Sequence, residues 1–189
     1  MKRIAIFASG NGTNAERIMA YFSTNNAVEI RLVLTNNPNA GVLQRAQKFD
    51  VETMVFTREE LYKSDKVADI LLKEEIDFVI LAGFLWLIPS SILKQFPDRI
   101  INIHPALLPK YGGKGMFGHH VHEAVIANKE KQSGITIHYV NEHYDEGNII
   151  FQATCDISNH DTSNSLATKI HELEYAHFPV VIEKLISAN

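Results

Sequence analysis

Residues Lys2 to Phe22 read KRIAIFASGNGTNAERIMAYF, and this stretch decides the fold class. Ile4 to Ala8 is a short apolar run of strand character. Ser9 to Asn14 is a turn rich in Gly and Asn, and Asn14 to Phe22 carries a helical period. A strand, a tight turn and a helix therefore open the chain. The same order recurs downstream. Glu29 to Thr35 predicts a strand, Ala40 to Phe49 a helix and Glu52 to Phe56 a strand. Asp65 to Glu75 predicts an amphipathic helix with Val67, Ile70 and Leu71 on one face. Phe78 to Ala82 is wholly apolar, as a central strand should be, and a short helix from Ser90 to Phe96 leads to the strand Ile100 to Ile103. Strands alternating with helices predict an α/β fold, mostly parallel, with helices on both faces. The pattern changes after a Gly- and His-rich loop over Lys110 to His120 and a helix from His122 to Asn128. Ile135 to Val140 and Ile149 to Ala153 are separated by only Asn141 to Asn148, too short for a helical crossover, so they predict a C-terminal antiparallel hairpin. A last helix spans Asp161 to Ile186. The expectation is one mixed sheet of about seven strands in a single domain, residues 1–189.

Composition narrows the partners. A formal net charge of -4 and a sequence pI near 6.1 disfavour nucleic acid and anionic membrane, leaving small molecules. The single cysteine, Cys155, cannot close an intramolecular disulfide, and no cysteine cluster offers a zinc site. His119, His120 and His122 lack a supporting ligand pattern, so no metal is expected. The apolar run after Met1 is too short for a secretion signal, and no run is long enough to cross a bilayer. A cytoplasmic protein, monomer or homodimer, is the expectation.

Two features carry chemistry. Ser9 to Asn14 joins a strand to a helix, where free N–H groups and the helix dipole favour an anion such as phosphate; Gly12, Thr13 and Asn14 are the candidate contacts. The turn is neither GxGxxG nor a P-loop, and an ordinary tight turn would read the same way. The second feature is Asn102, His104 and Asp145. Transfer of a formyl or acyl group to an amine passes through a tetrahedral oxyanion, which needs hydrogen-bond donors and a group that handles the amine proton. Asn102 and His104, two apart at a strand end, point the same way in extended backbone. Asp145, in the turn Tyr144 to Gly147, is the carboxylate expected to hold His104 protonated. Residue types alone also allow a structural histidine before Pro105.

The run Asn102-Ile103-His104-Pro105-Ala106-Leu107-Leu108-Pro109 resembles the N-x-H-P-S-L-L-P segment of the folate-dependent formyltransferases. Gly134 to Ile157, GITIHYVNEHYDEGNIIFQATCDI, is similar to the same family's aspartate signature, with Gly134, His138, Asp145 and Gly147 in register. The likeness spans nearly the whole chain and is strongest to the branch that formylates phosphoribosylglycinamide in purine biosynthesis. It implies a Rossmann-like formyltransferase fold and 10-formyltetrahydrofolate as co-substrate, with no metal. Asn102 and His104 would stabilise the oxyanion, and Asp145 would keep His104 protonated. Gly12, Thr13, Asn14 and Glu174 would bind the ribonucleotide. Arg58, Leu85, Trp86, Leu87 and Ile88, with Asn102 and the loop Asn141, Glu142, His143, Tyr144 and Asp145, would bind folate. His138 would neighbour the site. Two departures stand out: Gly112 to Phe117 is longer than the usual family loop, and Trp86 replaces a common arginine. The tRNA-formylating branch adds a basic C-terminal domain that binds tRNA, and the length and charge of this sequence do not fit it. A deformylase-like hydrolase is the alternative reading. A non-enzymatic nucleotide-binding module would explain the Gly-rich turn but not Asn102, His104 and Asp145.

Overall fold

The computed structural model describes residues 1–188. In chain order the elements are β1 (Lys2–Phe7), α1 (Thr13–Phe22), β2 (Val28–Thr35), α2 (Gly41–Gln47), β3 (Glu52–Val55), α3 (Arg58–Tyr62), α4 (Lys66–Lys73), β4 (Phe78–Leu81), α5 (Ser90–Gln95), β5 (Ile100–His104), α6 (His119–Ala127), β6 (Gln132–Tyr139), β7 (Ile149–Asp156) and α7 (Ser163–Ser187). They build one seven-stranded sheet in the order β3-β2-β1-β4-β5-β6-β7. β1 to β5 pair in parallel, whereas β6 runs antiparallel to both β5 and β7. The mixed sheet with its C-terminal hairpin is thus as expected, and the all-apolar β4 is its middle strand.

The pleat divides β1 between two cores. Ile4, Ile6 and Ala8 face one, formed with α1, α6 and α7 through residues such as Ile18, Val125 and Ile170. Ala5 and Phe7 face the other, with Leu61 of α3, Leu71 of α4 and Ile92 of α5. All five β1-run residues are fully buried, and β4 is buried throughout, which explains why neither strand shows polar alternation.

Several element bounds differ from the sequence expectation by a few residues, and three differences have a clear physical reason. α3 went unread because it is five residues long; its start is fixed by a capping box in which Thr57 and Glu60 bond reciprocally. α6 begins at His119 rather than His122, so the loop ends earlier and its histidines lie on a helix. β5 runs through His104, because the antiparallel partner β6 pairs His104 with Thr136 and extends the strand.

The strand order reverses between β1 and β4, and the crevice beyond their carboxyl ends is where open α/β sheets place ligands. The turn after β1 and the turn after β4 are tied there, with Ser9 N–H donating to the Gly83 carbonyl at 3.0 Å and Leu85 N–H to Ser9 Oγ at 3.1 Å.

Candidate active site

A cavity of about 620 Å³ opens over these carboxyl ends. Asn102 and His104, on one face of β5, form its floor with Asp145 from the loop after β6. Asn102 Nδ2 lies 3.5 Å from Asp145 Oδ1, and His104 Nδ1 lies 3.4 Å from Asp145 Oδ2. Oδ2 also accepts the Gly113 N–H at 3.0 Å, which anchors the Gly-rich loop to this carboxylate. Three residues separated by up to 43 positions thus meet. Asp145 reaches them from a left-handed turn at φ 57°, permitted because Asp tolerates that region better than bulkier residues.

Protonation follows from the partners. His104 Nε2 faces the Tyr111 carbonyl at 2.7 Å, and since a carbonyl only accepts, Nε2 carries a proton. Nδ1 faces a carboxylate, so the imidazolium would satisfy both acceptors. Burial opposes this: His104 is 3% exposed, and desolvation depresses its pKa more than Asp145 raises it. The net direction is downward. Burial thus works against the protonation expected of His104 from the Asp145 charge, an influence the sequence does not show. For Asp145, burial alone would raise the carboxyl, but His138, His104 and the Gly113 N–H together bring it below its ordinary value. His138 is 2% exposed; its Nδ1 faces the Tyr139 carbonyl at 2.8 Å, and its Nε2 lies 3.0 Å from Asn102 Nδ2 and 3.6 Å from Asp145 Oδ1. It orients the amide of Asn102.

At the other end, Gly12 caps α1 at φ 75°. The first backbone bond of the helix is Glu16 N–H to the Gly12 carbonyl at 2.9 Å, so the N–H groups of Thr13 and Asn14, residues that line the cavity, have no helical partner among the described residues. Arg45, the neighbouring cation, is engaged with Glu16 and Asn11, so backbone donors dominate here. Asn14 Nδ2 donates to Glu174 Oε2 at 2.8 Å, and His171 Nδ1 meets the same oxygen at 2.9 Å. Glu174 is 4% exposed and lines the cavity, so α7 delivers a buried carboxylate between the Gly-rich turn and the β5 residues.

The remaining candidates divide. Leu85, Tyr144 and Asp145 line this cavity; Arg58, Trp86, Leu87, Ile88, Asn141, Glu142 and His143 do not. Trp86 packs edge-on or tilted within an aromatic group with Phe56, Tyr62 and Phe84, and the Arg58 guanidinium sits 5.4 Å from the Tyr62 ring centre and 5.6 Å from that of Trp86. The Leu85 N–H is taken by Ser9, and the Leu87 carbonyl by the Tyr62 hydroxyl at 2.9 Å. Asn141 caps its own loop, accepting the His143 N–H at 2.9 Å.

A model of the formyl transferase family, described as "Formyl transferase", matches residues 2–182. The chain belongs to the formyl transferase family. A phosphoribosylglycinamide formyltransferase of Bacillus subtilis is 34% identical over 194 residues, covering 100% of this chain and 97% of its own. The chloroplastic phosphoribosylglycinamide formyltransferase of Arabidopsis thaliana is 38% identical over 187 residues, covering 96% of this chain; the match spans 64% of that longer protein. Among solved structures, the phosphoribosylglycinamide formyltransferase from Bacillus halodurans superposes with a TM-score of 0.88 at 37% identity, covering 98% of this chain and 96% of that one. Its sheet architecture is the one described above.

Of the polar side chains lining this formyl transferase cavity, sequence reasoning gave no role to Lys114 or His171 and weighed His122 only as a metal ligand. His171 had a usable signal, since an H-x-x-E spacing on a helix puts the two side chains on one face. His122 gave none beyond its type. Among the described residues, no group of three His, Cys, Asp or Glu is placed to hold a metal ion, and no helix is long and apolar enough to cross a membrane.

Proposed function

We propose that this chain transfers the formyl group of 10-formyltetrahydrofolate to the amine of phosphoribosylglycinamide. One observation carries the reading: a single cavity has backbone anion donors at one end and the Asn102, His104 and Asp145 cluster at the other. That spacing suits an acceptor bearing a phosphate at one end and a nucleophilic amine at the other. The names of the relatives, all transferases, favour this over hydrolysis of the formylfolate.

In this reading the phosphate rests on the N–H groups of Gly12, Thr13 and Asn14, and Glu174 holds the glycinamide end. The amine lone pair attacks the formyl carbon, and the carbonyl electrons move onto oxygen. The Asn102 amide and the positive charge that His104 takes up stabilise that oxyanion. The new ammonium loses one proton to the coupled Asp145 and His104 pair; the C–N10 bond breaks, and the pair returns the proton to N10, giving formylated product and tetrahydrofolate. A proton taken by the pair makes His104 an imidazolium whose two N–H groups face the Tyr111 carbonyl and Asp145. The relay thus has a place for its charge.

The pterin occupies the slot beside Leu85, Trp86, Leu87 and Ile88, closed by Asn141 to Asp145. The Leu85 N–H and Leu87 carbonyl are already bonded, so the other backbone groups of this segment hold the pterin. Arg58 attracts the carboxylate tail. Residues 1–189 act as one catalytic domain on small molecules in the cytoplasm, without a metal.

The test supplies purified protein with 10-formyltetrahydrofolate and follows tetrahydrofolate release with and without phosphoribosylglycinamide. Acceptor-dependent release is expected. Equal release without acceptor would assign the hydrolase instead.

A further inference from the structure

Every imidazole in the cavity wall has a partner except one. His104 is bonded to Tyr111, and His171 is paired with Glu174. His122 is 3% exposed, and among the described residues neither of its ring nitrogens has a hydrogen-bond partner; its Nδ1 is fully buried and unsatisfied. It projects from the first turns of α6, where Val121 and Val125 on the same side enter the apolar core. An apolar side chain would serve that packing, whereas an unpaired buried ring nitrogen disfavours the folded state. The ring nonetheless lines the cavity, and its second nitrogen, Nε2, is neither enclosed nor bonded among the described residues, so its polarity points to something that enters the cavity.

The ring's surroundings locate that something. Its charged and titratable neighbours are His171 and Glu174 on α7, His119 on its own helix and His104 on β5. His122 thus stands between the Glu174 end of the cavity and the reacting cluster. Burial first, and the nearby His171 second, push its pKa to about 4, so at neutral pH it offers one N–H donor and one bare nitrogen rather than a cation. The nitrogen open to a ligand is Nε2, and as donor or acceptor according to tautomer it pairs with a hydroxyl or an amide, which can serve either role.

We propose that His122 is a specificity residue for the acceptor, hydrogen-bonding an uncharged hydroxyl or amide that lies between that substrate's phosphate and its amine. This rests on the acceptor assignment above. It also predicts selectivity: an acceptor lacking that dipole leaves the imidazole unpaired in the complex and is rejected.

Calorimetry with phosphoribosylglycinamide alone tests the idea. Wild-type protein should bind it, His122→Phe should bind it about tenfold more weakly, and His122→Asn, which restores a donor and an acceptor, should recover part of the loss. The KM for 10-formyltetrahydrofolate should stay unchanged in both. Removing the 2-hydroxyl of the ribose, or replacing the glycinamide amide by an ester, shows which dipole is read: the analogue that lacks it should bind wild type and His122→Phe equally. An unchanged affinity in His122→Phe, or a matching rise in both KM values, overturns the proposal. Should His122→Phe fail to fold, the imidazole 15N shifts of wild-type His122 decide the matter, because they must move on acceptor binding and their constancy refutes it. Failure of the wild type to bind phosphoribosylglycinamide overturns the acceptor assignment itself and this inference with it.

Discussion

Replacing Gly12 with alanine tests the link between fold and phosphate end most directly. Gly12 sits at φ 75°, and a Cβ built on it would lie 2.5 Å from Val42 Cβ and Cγ2 and 2.8 Å from Val42 Cα. Ordinary van der Waals contact begins near 3.4 Å, so the turn must retreat from α2 by most of an ångström, and the backbone atom of Val42 leaves no rotamer escape. A left-handed conformation costs an L residue about 1 kcal/mol, and overpacking adds 1–3 kcal/mol, so Gly12→Ala should destabilise by about 2–4 kcal/mol. This is a large share of the roughly 5–15 kcal/mol typical of a domain. Urea unfolding reads it as a lower midpoint at unchanged slope. The retreat moves Thr13 and Asn14 and disturbs the 2.8 Å bond from Asn14 to Glu174, so the acceptor KM should rise at least tenfold while the folate KM holds. A variant within about 0.5 kcal/mol of wild type, with an unchanged acceptor KM, would refute both the packing argument and the phosphate assignment.

Three further outcomes follow. His104→Ala and Asp145→Asn should each lower kcat by about two or more orders of magnitude with small changes in KM, since both act mainly in the transition state; near-normal turnover in either removes it from the chemistry. In wild type, kcat/KM should hold as pH falls to the ordinary histidine value and drop only below it, because burial depresses His104; Asp145→Asn removes the opposing charge, so any residual acid limb should move lower still. An acid limb at or above pH 6.5 in wild type would contradict the assignment of burial as the dominant influence. Arg58→Ala should raise the folate KM and leave that of the acceptor alone, as the guanidinium lies on Tyr62 and Trp86 away from the phosphate end; steady-state kinetics with each substrate varied separates the two.

Much of the fold was legible because each signal was local. Fully buried strands such as Phe78 to Leu81 have no polar alternation to confuse, and the short Asn141 to Asn148 connection forced β6 and β7 antiparallel. What escaped was set by tertiary partners. His104 joined a strand because β6 extends it, and α3 is too short for a period to show. The site divides the same way. Asn102 and His104 were placed by strand geometry and Asp145 by chemical need, but no pattern announces that Asn14 bonds to Glu174 across 160 residues. That contact joins the phosphate turn to α7.

The histidines show why charge in a sequence is not charge in a site. Both His104 and His122 stand near carboxylates, which alone would favour the imidazolium, yet burial outweighs this at each. For His122 the consequence reaches stability. Its folded pKa of about 4 lies below the unfolded value of 6.5, so as pH falls through 6.5 the unfolded chain takes up a proton that the folded one refuses. Stability from this group is complete above pH 6.5 and is lost between 6.5 and 4, a change of about 3 kcal/mol by linkage at 1.36 kcal/mol per pH unit. His122→Asn removes that loss, so the difference in unfolding free energy between pH 7 and pH 4 should shrink by a comparable amount. An identical acid sensitivity in wild type and variant would mean that His122 is already charged, or hydrated, in the folded protein, and its neutral role in the cavity would fall with it.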